Sequence, residues 1–329
     1  MKRIKNFFKR NLKYSIAFII GILVHLVVYA STTPLYTSNQ IGYDNSNSGL
    51  EAENVKDALD ALYNKAATCD FGSGEDNSGG NSNTAAAYLI ANESSLVNVA
   101  DAYRYSGTTS KNYVWFNNEQ WRIIGVYDNK LKIVRNTPLS EQRQYNSSTS
   151  SNAWNGSSIQ TYLNNTYYST LSSEAKGMIY ETASWNVGAV SESADAATTY
   201  TSAKATTWVG KIGMVAVYEY LYCSDNTYGC WSITGNNFSD SSCGDFAWLN
   251  DTMNTSWTSY AWFMNPSSSN SSNGLHVYAG YGRVSGYQPV TTSYYVSPVV
   301  YLKPDVTITG GTGQSGETNS YKLACSSCT

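Results

Sequence analysis

The sequence predicts a mixed α+β domain, on three observations. Short alternating runs at residues 112–116, 120–127 and 132–135 are separated by Asn117-Asn118 and Asp128-Asn129, a pattern of strands closed by tight turns. Two segments with Ser at their start and apolar residues at helical spacing follow, and the rest of the chain returns to short strands between loops rich in Gly, Ser and Asn. Composition agrees: 28 Tyr and 9 Trp, with only 14% charged residues, suit twisted sheets whose surface is solvated by hydroxyls and amides.

Taken from the N-terminus, Lys2, Arg3, Lys5, Lys9, Arg10 and Lys13 precede an apolar run over 16–29 with no acidic residue among them. That asymmetry keeps the first residues inside and sends the remainder out of the cytoplasm. Residues 1–30 are therefore a signal peptide or a membrane anchor. Val28-Tyr29-Ala30 offers small residues to a signal peptidase, and an uncut segment anchors the chain in the membrane through residues 14–30. The expected location is the extracellular face of the membrane or the cell surface, or the medium if the segment is cut.

Removing the six cations leaves 15 basic against 24 acidic residues, a net charge of −9. Nucleic acid and anionic lipid are poor partners for such a surface. Six cysteines, none in the apolar run, fit an oxidising compartment.

Residues 31–69 combine an extended polar segment with an amphipathic helix over 50–66, where Val55, Ala58, Leu59, Leu62 and Tyr63 share one face. A helix of about four turns is marginal alone in water. It either docks on the main domain or self-associates as a short stalk, making residues 50–66 the candidate homo-oligomer contact. Residues 70–85 are a Gly/Ser/Asn linker by composition. The globular domain is expected over 86–309, followed by a Gly-rich segment and a Cys-containing tail over 310–329.

Within that domain the three runs form an antiparallel meander. Short helices are expected at 157–163 and 172–179, a buried strand region at 208–217, and a closing strand at 294–302.

The order of Trp121-Arg-Ile-Ile-Gly-Val126, Trp154-Asn-Gly-Ser-Ser-Ile-Gln-Thr-Tyr-Leu-Asn164, Leu171-Ser-Ser-Glu-Ala-Lys176, Trp208-Val-Gly-Lys-Ile-Gly213, Ala247-Trp-Leu-Asn250 and Ser297-Pro-Val-Val-Tyr-Leu-Lys-Pro-Asp305 resembles a family of exported proteins from Firmicutes and related gut bacteria, over residues 110–323. The resemblance implies a divergent C-type-lectin-like fold of the kind shared with formylglycine-generating enzymes: two short helices against small antiparallel sheets, with long loops. Where such relatives carry Arg before the Pro of the closing strand, this chain has Ser297.

Candidate chemistry is sparse. His276 is the single histidine beyond the N-terminal segment, and 273–278 alternates like a half-buried strand, so a strand role is expected for it. Asp225, Asp240, Asp245 and Asp251 lie in loops, and no spacing selects two of them as an acid-base pair. Gln288-Pro289-Val290 lacks the third ligand of a lectin calcium loop, and Trp248-Leu-Asn-Asp251 lies on the wrong side of it. No metal or cofactor is expected, and no catalytic residue.

Cys230 and Cys243 flank a polar loop that a bridge would close, with Cys223 pairing elsewhere or free. Cys325-Ser-Ser-Cys328 lies in the tail and is expected to form a structural disulfide, within the pair or to Cys69. The remaining signal is surface chemistry: Trp257, Tyr260, Tyr278, Tyr281, Arg283 and Tyr287 alternate with Asn and Ser in a loop-rich stretch, the mixture of rigid amphipathic contact surfaces. Trp262 in the same stretch is expected in the core. The resulting expectation is a non-catalytic cell-surface adhesin or ligand-binding module touching an extracellular glycan or protein. The alternative is an oligomeric structural component of the cell envelope or a surface appendage.

Overall fold

The computed structural model describes residues 84–108, 110–239, 243–245 and 247–328. The apolar N-terminal run, the 50–66 helix, Cys69 and Asp240 lie outside them. Asn83–Thr329 forms one compact unit. Its fold is mixed α+β. Among the described residues no helix is long and apolar enough to cross a membrane.

The meander forms as the turns dictate. Strands β1 (Leu96–Val99), β2 (Ala102–Tyr105), β3 (Tyr113–Phe116), β4 (Glu119–Tyr127) and β5 (Lys130–Arg135) are joined at three tight corners. Asn117 and Asn118 have φ of +53° and +58°, and Asp128 and Asn129 +48° and +57°. Two consecutive left-handed residues twist a hairpin in the sense of its strands, and Asn and Asp tolerate that conformation best. Ala100 and Asp101, at +51° and +56°, make the same corner between β1 and β2 with a residue that gives no sequence warning. Arg104 secures it by donating to the carbonyls of Val99 and Ala100.

These strands belong to a nine-stranded sheet in the order Thr307–Gly310, Tyr321–Ala324, β3, β4, β5, Val299–Tyr301, Ile212–Gly213, with β2 pairing β4 and β1 pairing β2. Strand β4 carries β3 at one end and β2 at the other. Gly125 makes this crossing feasible, since a Cβ there would lie 2.2 Å from the Tyr103 carbonyl oxygen. The Tyr321–Ala324 strand runs parallel to β3, so the segment after the Gly-rich stretch contributes a strand to the principal sheet. Small antiparallel sheets form as expected, one of three strands and two of two strands, but the principal sheet is larger than expected and holds one parallel pair. A separate three-stranded sheet comprises Tyr260–Pro266, Asn273–Tyr278 and Arg283–Pro289.

Both expected helices form, at Ser158–Tyr162 and Ser173–Met178, with the Ser157 and Ser172 hydroxyls accepting from the backbone amides of Gln160 and Ala175. The first continues through a π turn over Leu163–Tyr167. That turn aims Asn164 at the Ile212–Gly213 strand, where its side chain accepts from the Lys211 and Ile212 amides and donates to the Ile212 carbonyl. Among the described residues five further α-helical segments lie outside the two expected ones: Ala85–Asn92, Ala196–Ala203, Val217–Tyr222, Trp248–Met253 and the short Tyr168–Thr170 that follows the π turn.

The expected buried strand region at 208–217 is corrected. Thr207–Gly210 is a partly exposed strand, with Val209 59% exposed. Burial begins at Ile212 and continues through Val217–Tyr222, a helix buried on every side. A run buried on every side carries no burial periodicity to separate helix from strand. The expected closing strand divides into Ser293–Tyr294 and Val299–Tyr301, which pair with different partners.

At the centre of the unit sits an ion pair. Lys132 of β5 donates to Glu219 of the Val217–Tyr222 helix at 2.5 Å, and both side chains are almost wholly buried. Tyr127 donates to the same carboxylate oxygen, and the Ala216 amide holds the other. Arg104, also buried, donates to the Tyr127 hydroxyl. The Lys132 ammonium lies 4.7 Å from the ring centre of Trp185 and 4.8 Å from that of Tyr301.

Glu219→Leu is expected to cost about 3–5 kcal/mol, because Lys132 and Arg104 then remain buried without their counter-charge. Adding Lys132→Met should recover a large part of that loss. Urea unfolding of both variants tests it, and a Glu219→Leu variant within ~1 kcal/mol of the parent contradicts the assignment.

Candidate functional site

Three segments that are remote in sequence enclose a cleft of about 310 Å³. The loop before β3 supplies Ser110 and Lys111, the Trp248–Met253 helix and the residues before it supply Asp245 and Asp251, and the Gly-rich segment supplies Gln314 and Ser315. Arg122 of β4 forms part of the lining.

Each wall has a local cause. Gly313, at φ +71°, offers its carbonyl to the Tyr113 amide, and a Cβ there would meet the Tyr321 ring at 2.5 Å. Only glycine fits this bend, and the bend presents Gln314 and Ser315. Asp245 follows Gly244, whose backbone lies against Gly282, so that a Cβ at 244 would lie 2.7 Å from the Gly282 Cα. The bridge Cys230–Cys243 anchors this loop, as the sequence suggested, with Cα atoms 5.5 Å apart.

Arg122 is the rigid element of the cleft. Its guanidinium centre lies 4.2 Å from the Trp248 ring centre and 4.5 Å from that of Tyr113. It donates twice to the Asn112 side-chain carbonyl, and to the Trp248 carbonyl and the Thr252 hydroxyl. Burial pulls its pKa down, opposed by Tyr113 and Asp251. With its donors committed to protein, Arg122 shapes the cleft and sets its potential, while Lys111, Asp245 and Asp251 are exposed to solvent. The cleft thus presents two carboxylates, one ammonium, hydroxyls and an amide. Such groups pair with the hydroxyls of a polar ligand by charge-assisted hydrogen bonds.

The sequence-selected aromatic residues divide. Trp257 and Tyr281 are 74% and 59% exposed and close together, because the Trp257 carbonyl abuts Gly280, where a Cβ would lie 2.6 Å from it. Tyr281 meets Tyr278 edge-on at 5.0 Å, Tyr278 stacks on Tyr260 at 4.7 Å, and Tyr260 stacks on Tyr294 at 4.9 Å. Tyr260 and Tyr278 are half-buried, so they support the exposed pair more than they offer a free face. Arg283 is exposed and pairs in register with Tyr278. Tyr287 is 75% exposed but lies four residues further along its strand, about 13 Å from Arg283, so it stands apart. Trp262 is fully buried, as expected, and Phe263 with it.

Cleft and aromatic ledge share a frame. Asn250 of the Trp248–Met253 helix donates to the Ala279 carbonyl beside Tyr278, and Gly244 touches Gly282 beside Tyr281. Asp245 and Asp251 are therefore brought together by tertiary structure, while Asp225 caps a turn elsewhere by accepting from Thr227. Lys111, Arg122 and Gln314 were not singled out from sequence. The available signal was Arg122, a cation inside the otherwise apolar run of β4.

His276 occupies its expected strand, 2% exposed, between Trp262 and Tyr260. Burial pulls its pKa down to about 4. Cys223 is free and buried, and burial pushes its thiol up to about 12. Cys325 and Cys328 are bonded to each other.

Residues 128–208 match the model of a family described as a domain of unknown function (DUF6273), a stretch well short of half the chain. It runs from the turn before β5 to Trp208 and so includes Lys132, both Ser-capped helices and Trp185. No curated protein and no solved structure matches the chain.

A buried neutral His binds no proton in the fold until about pH 4, whereas in the unfolded chain it does so near 6.5. Stability from this group is complete above pH 6.5 and falls as pH drops toward about 4. His276→Phe is expected to flatten the pH dependence of the unfolding midpoint in that window, and an unchanged slope assigns the dependence to other groups. Cys230→Ala with Cys243→Ala should cost about 3 kcal/mol in chemical unfolding.

Proposed function

We propose that the chain is a cell-surface ligand-binding module that holds a glycan across the cleft and the aromatic ledge, without catalysing a reaction on it. The observation that carries this reading is the close backbone approach of two segments: Gly244, next to Asp245 of the cleft, lies against Gly282 and the Tyr281 carbonyl, and the Trp257 carbonyl abuts Gly280, while Trp257 and Tyr281 are exposed. Carboxylates accept from adjacent sugar hydroxyls, and flat aromatic faces cover the apolar C–H side of a pyranose ring. Rigid aromatic contacts lose little side-chain entropy on binding, and the Tyr281 ring rests edge-on against Tyr278.

Display outside the cell is part of the proposal. The cationic, apolar N-terminus supports it, and two disulfides fit an oxidising compartment. A C-type-lectin-like arrangement is the finer fold reading. The two Ser-capped helices beside a twisted sheet, with a second, loop-rich sheet carrying the ledge, support it.

Glycan-array screening of the purified chain, followed by titration of the best ligand, tests the reading. Trp257→Ala with Tyr281→Ala is expected to weaken binding by about 2 kcal/mol, roughly thirtyfold in Kd. Asp245→Asn with Asp251→Asn keeps the shape of the cleft and should weaken it about tenfold or more. A glycan that binds both variants as tightly as the parent removes this site, and absence of binding across the array removes the glycan.

A further inference from the structure

The C-terminal cysteines have a neighbour that disulfide formation does not use. The antiparallel register Thr307↔Ala324 and Ile308↔Leu323 carries Asp305 back alongside Cys325. The carboxylate oxygen of Asp305 and the sulfurs of Cys325 and Cys328 all lie within 4.8 Å of one another, and all three residues are half-buried. Two further features hold this corner in place. Gly177 of the Ser173–Met178 helix packs directly on Cys328, where a Cβ would sit 2.5 Å from its carbonyl oxygen. Tyr321–Ala324, immediately before Cys325, is paired on both edges, with Thr307–Gly310 and with β3.

We propose that Cys325, Cys328 and Asp305 form a redox-gated site for zinc, closed as a disulfide when oxidised and loaded with the metal when reduced. Tetrahedral zinc places its ligands at about 2.3 Å for sulfur and about 2.0–2.2 Å for oxygen, hence about 3.5–3.8 Å from each other. The existing spacing needs only side-chain rotation to reach that geometry, with the two cysteine Cα atoms already 5.4 Å apart. Two soft thiolates at Cys-x-x-Cys spacing select zinc over calcium or magnesium, and the third ligand distinguishes this corner from an isolated thiol pair. Water completes the fourth position.

The electrons balance through an external thiol. A small-molecule dithiol gives two electrons and two protons to the Cys325–Cys328 bond and becomes a disulfide itself. Zinc binding then releases the two thiol protons to solvent. The other bridge is protected during this step, because Cys230 and Cys243 are fully buried. Either state ties the last strand to the Ser173–Met178 helix, and that strand holds the loop carrying Gln314 and Ser315 at the cleft.

The test uses the full-length chain, reduced mildly until alkylation of the folded protein and peptide mass show Cys325 and Cys328 labelled, Cys230–Cys243 still bridged and the buried Cys223 unlabelled. After equilibration with zinc and removal of the excess, metal analysis is expected to give one zinc per chain, against none for the oxidised chain. Cys325→Ser with Cys328→Ser should hold none in either condition, with its near-ultraviolet circular dichroism unchanged. Asp305→Asn should bind at least ~10-fold more weakly in competition with a chromophoric chelator. Cobalt substitution should give thiolate charge-transfer absorption that Cys328→Ser reduces. Three results overturn the proposal: no zinc on a chain with both thiols shown to be free, zinc uptake that survives loss of both cysteines, or unchanged affinity in Asp305→Asn.

Discussion

The Lys132–Glu219 pair is the constraint around which the unit is organised. Removing both charges from water costs several kcal/mol per ion, which geometry must offset. Here the carboxylate takes Lys132 and Tyr127 on one oxygen and the Ala216 amide on the other. The pair also joins the central strand β5 to the Val217–Tyr222 helix, two elements 87 residues apart in sequence. Arg104 adds a second buried cation, and aromatic faces complete its surroundings. Its guanidinium lies 4.7 Å from the Tyr127 ring centre and 5.2 Å from that of Tyr218. Rings attract cations through their quadrupole, most strongly where water is excluded.

This gives the tyrosine-rich composition a structural meaning. A run of ring contacts crosses the molecule from the surface inward: Tyr281, Tyr278, Tyr260, Tyr294, Trp262, Tyr145, Trp154 and Trp208 meet in sequence, with centroid separations from 4.7 to 6.3 Å. The exposed end of that run is the ledge beside the cleft. The rings there are held by the same contacts that fill the core, so the ledge is rigid without many ion pairs around it. A chain so poor in charge has few other means of fixing a surface.

Legibility in the sequence followed the range of the interaction. The turns at Asn117-Asn118 and Asp128-Asn129 were legible because the backbone conformation selects the residue type. Ser157 and Ser172 marked two helix starts for the same local reason. The Ala100-Asp101 turn was not, because Ala pays a local cost there that Arg104 offsets from the neighbouring strand. Residues 217–222 gave no helix signal because a helix buried on all sides has no polar stripe to detect. The last strand was hidden behind a Gly-rich segment whose composition suggested the end of the domain, although Gly313 serves a bend packed against Tyr321.

The candidate site shows the same division. Sequence alone picked out the aromatic residues, the histidine as a strand residue, and Cys230 with Cys243, since residue type and spacing carry that information. It left Asp225, Asp245 and Asp251 equivalent, because a carboxylate in one loop looks like a carboxylate in any other. Only tertiary structure separated them, bringing Asp245 and Asp251 to one cleft with Lys111 and Gln314, drawn from opposite ends of the domain. Local backbone preferences are written residue by residue, whereas convergence of distant loops depends on how the sheets and the buried pair place them.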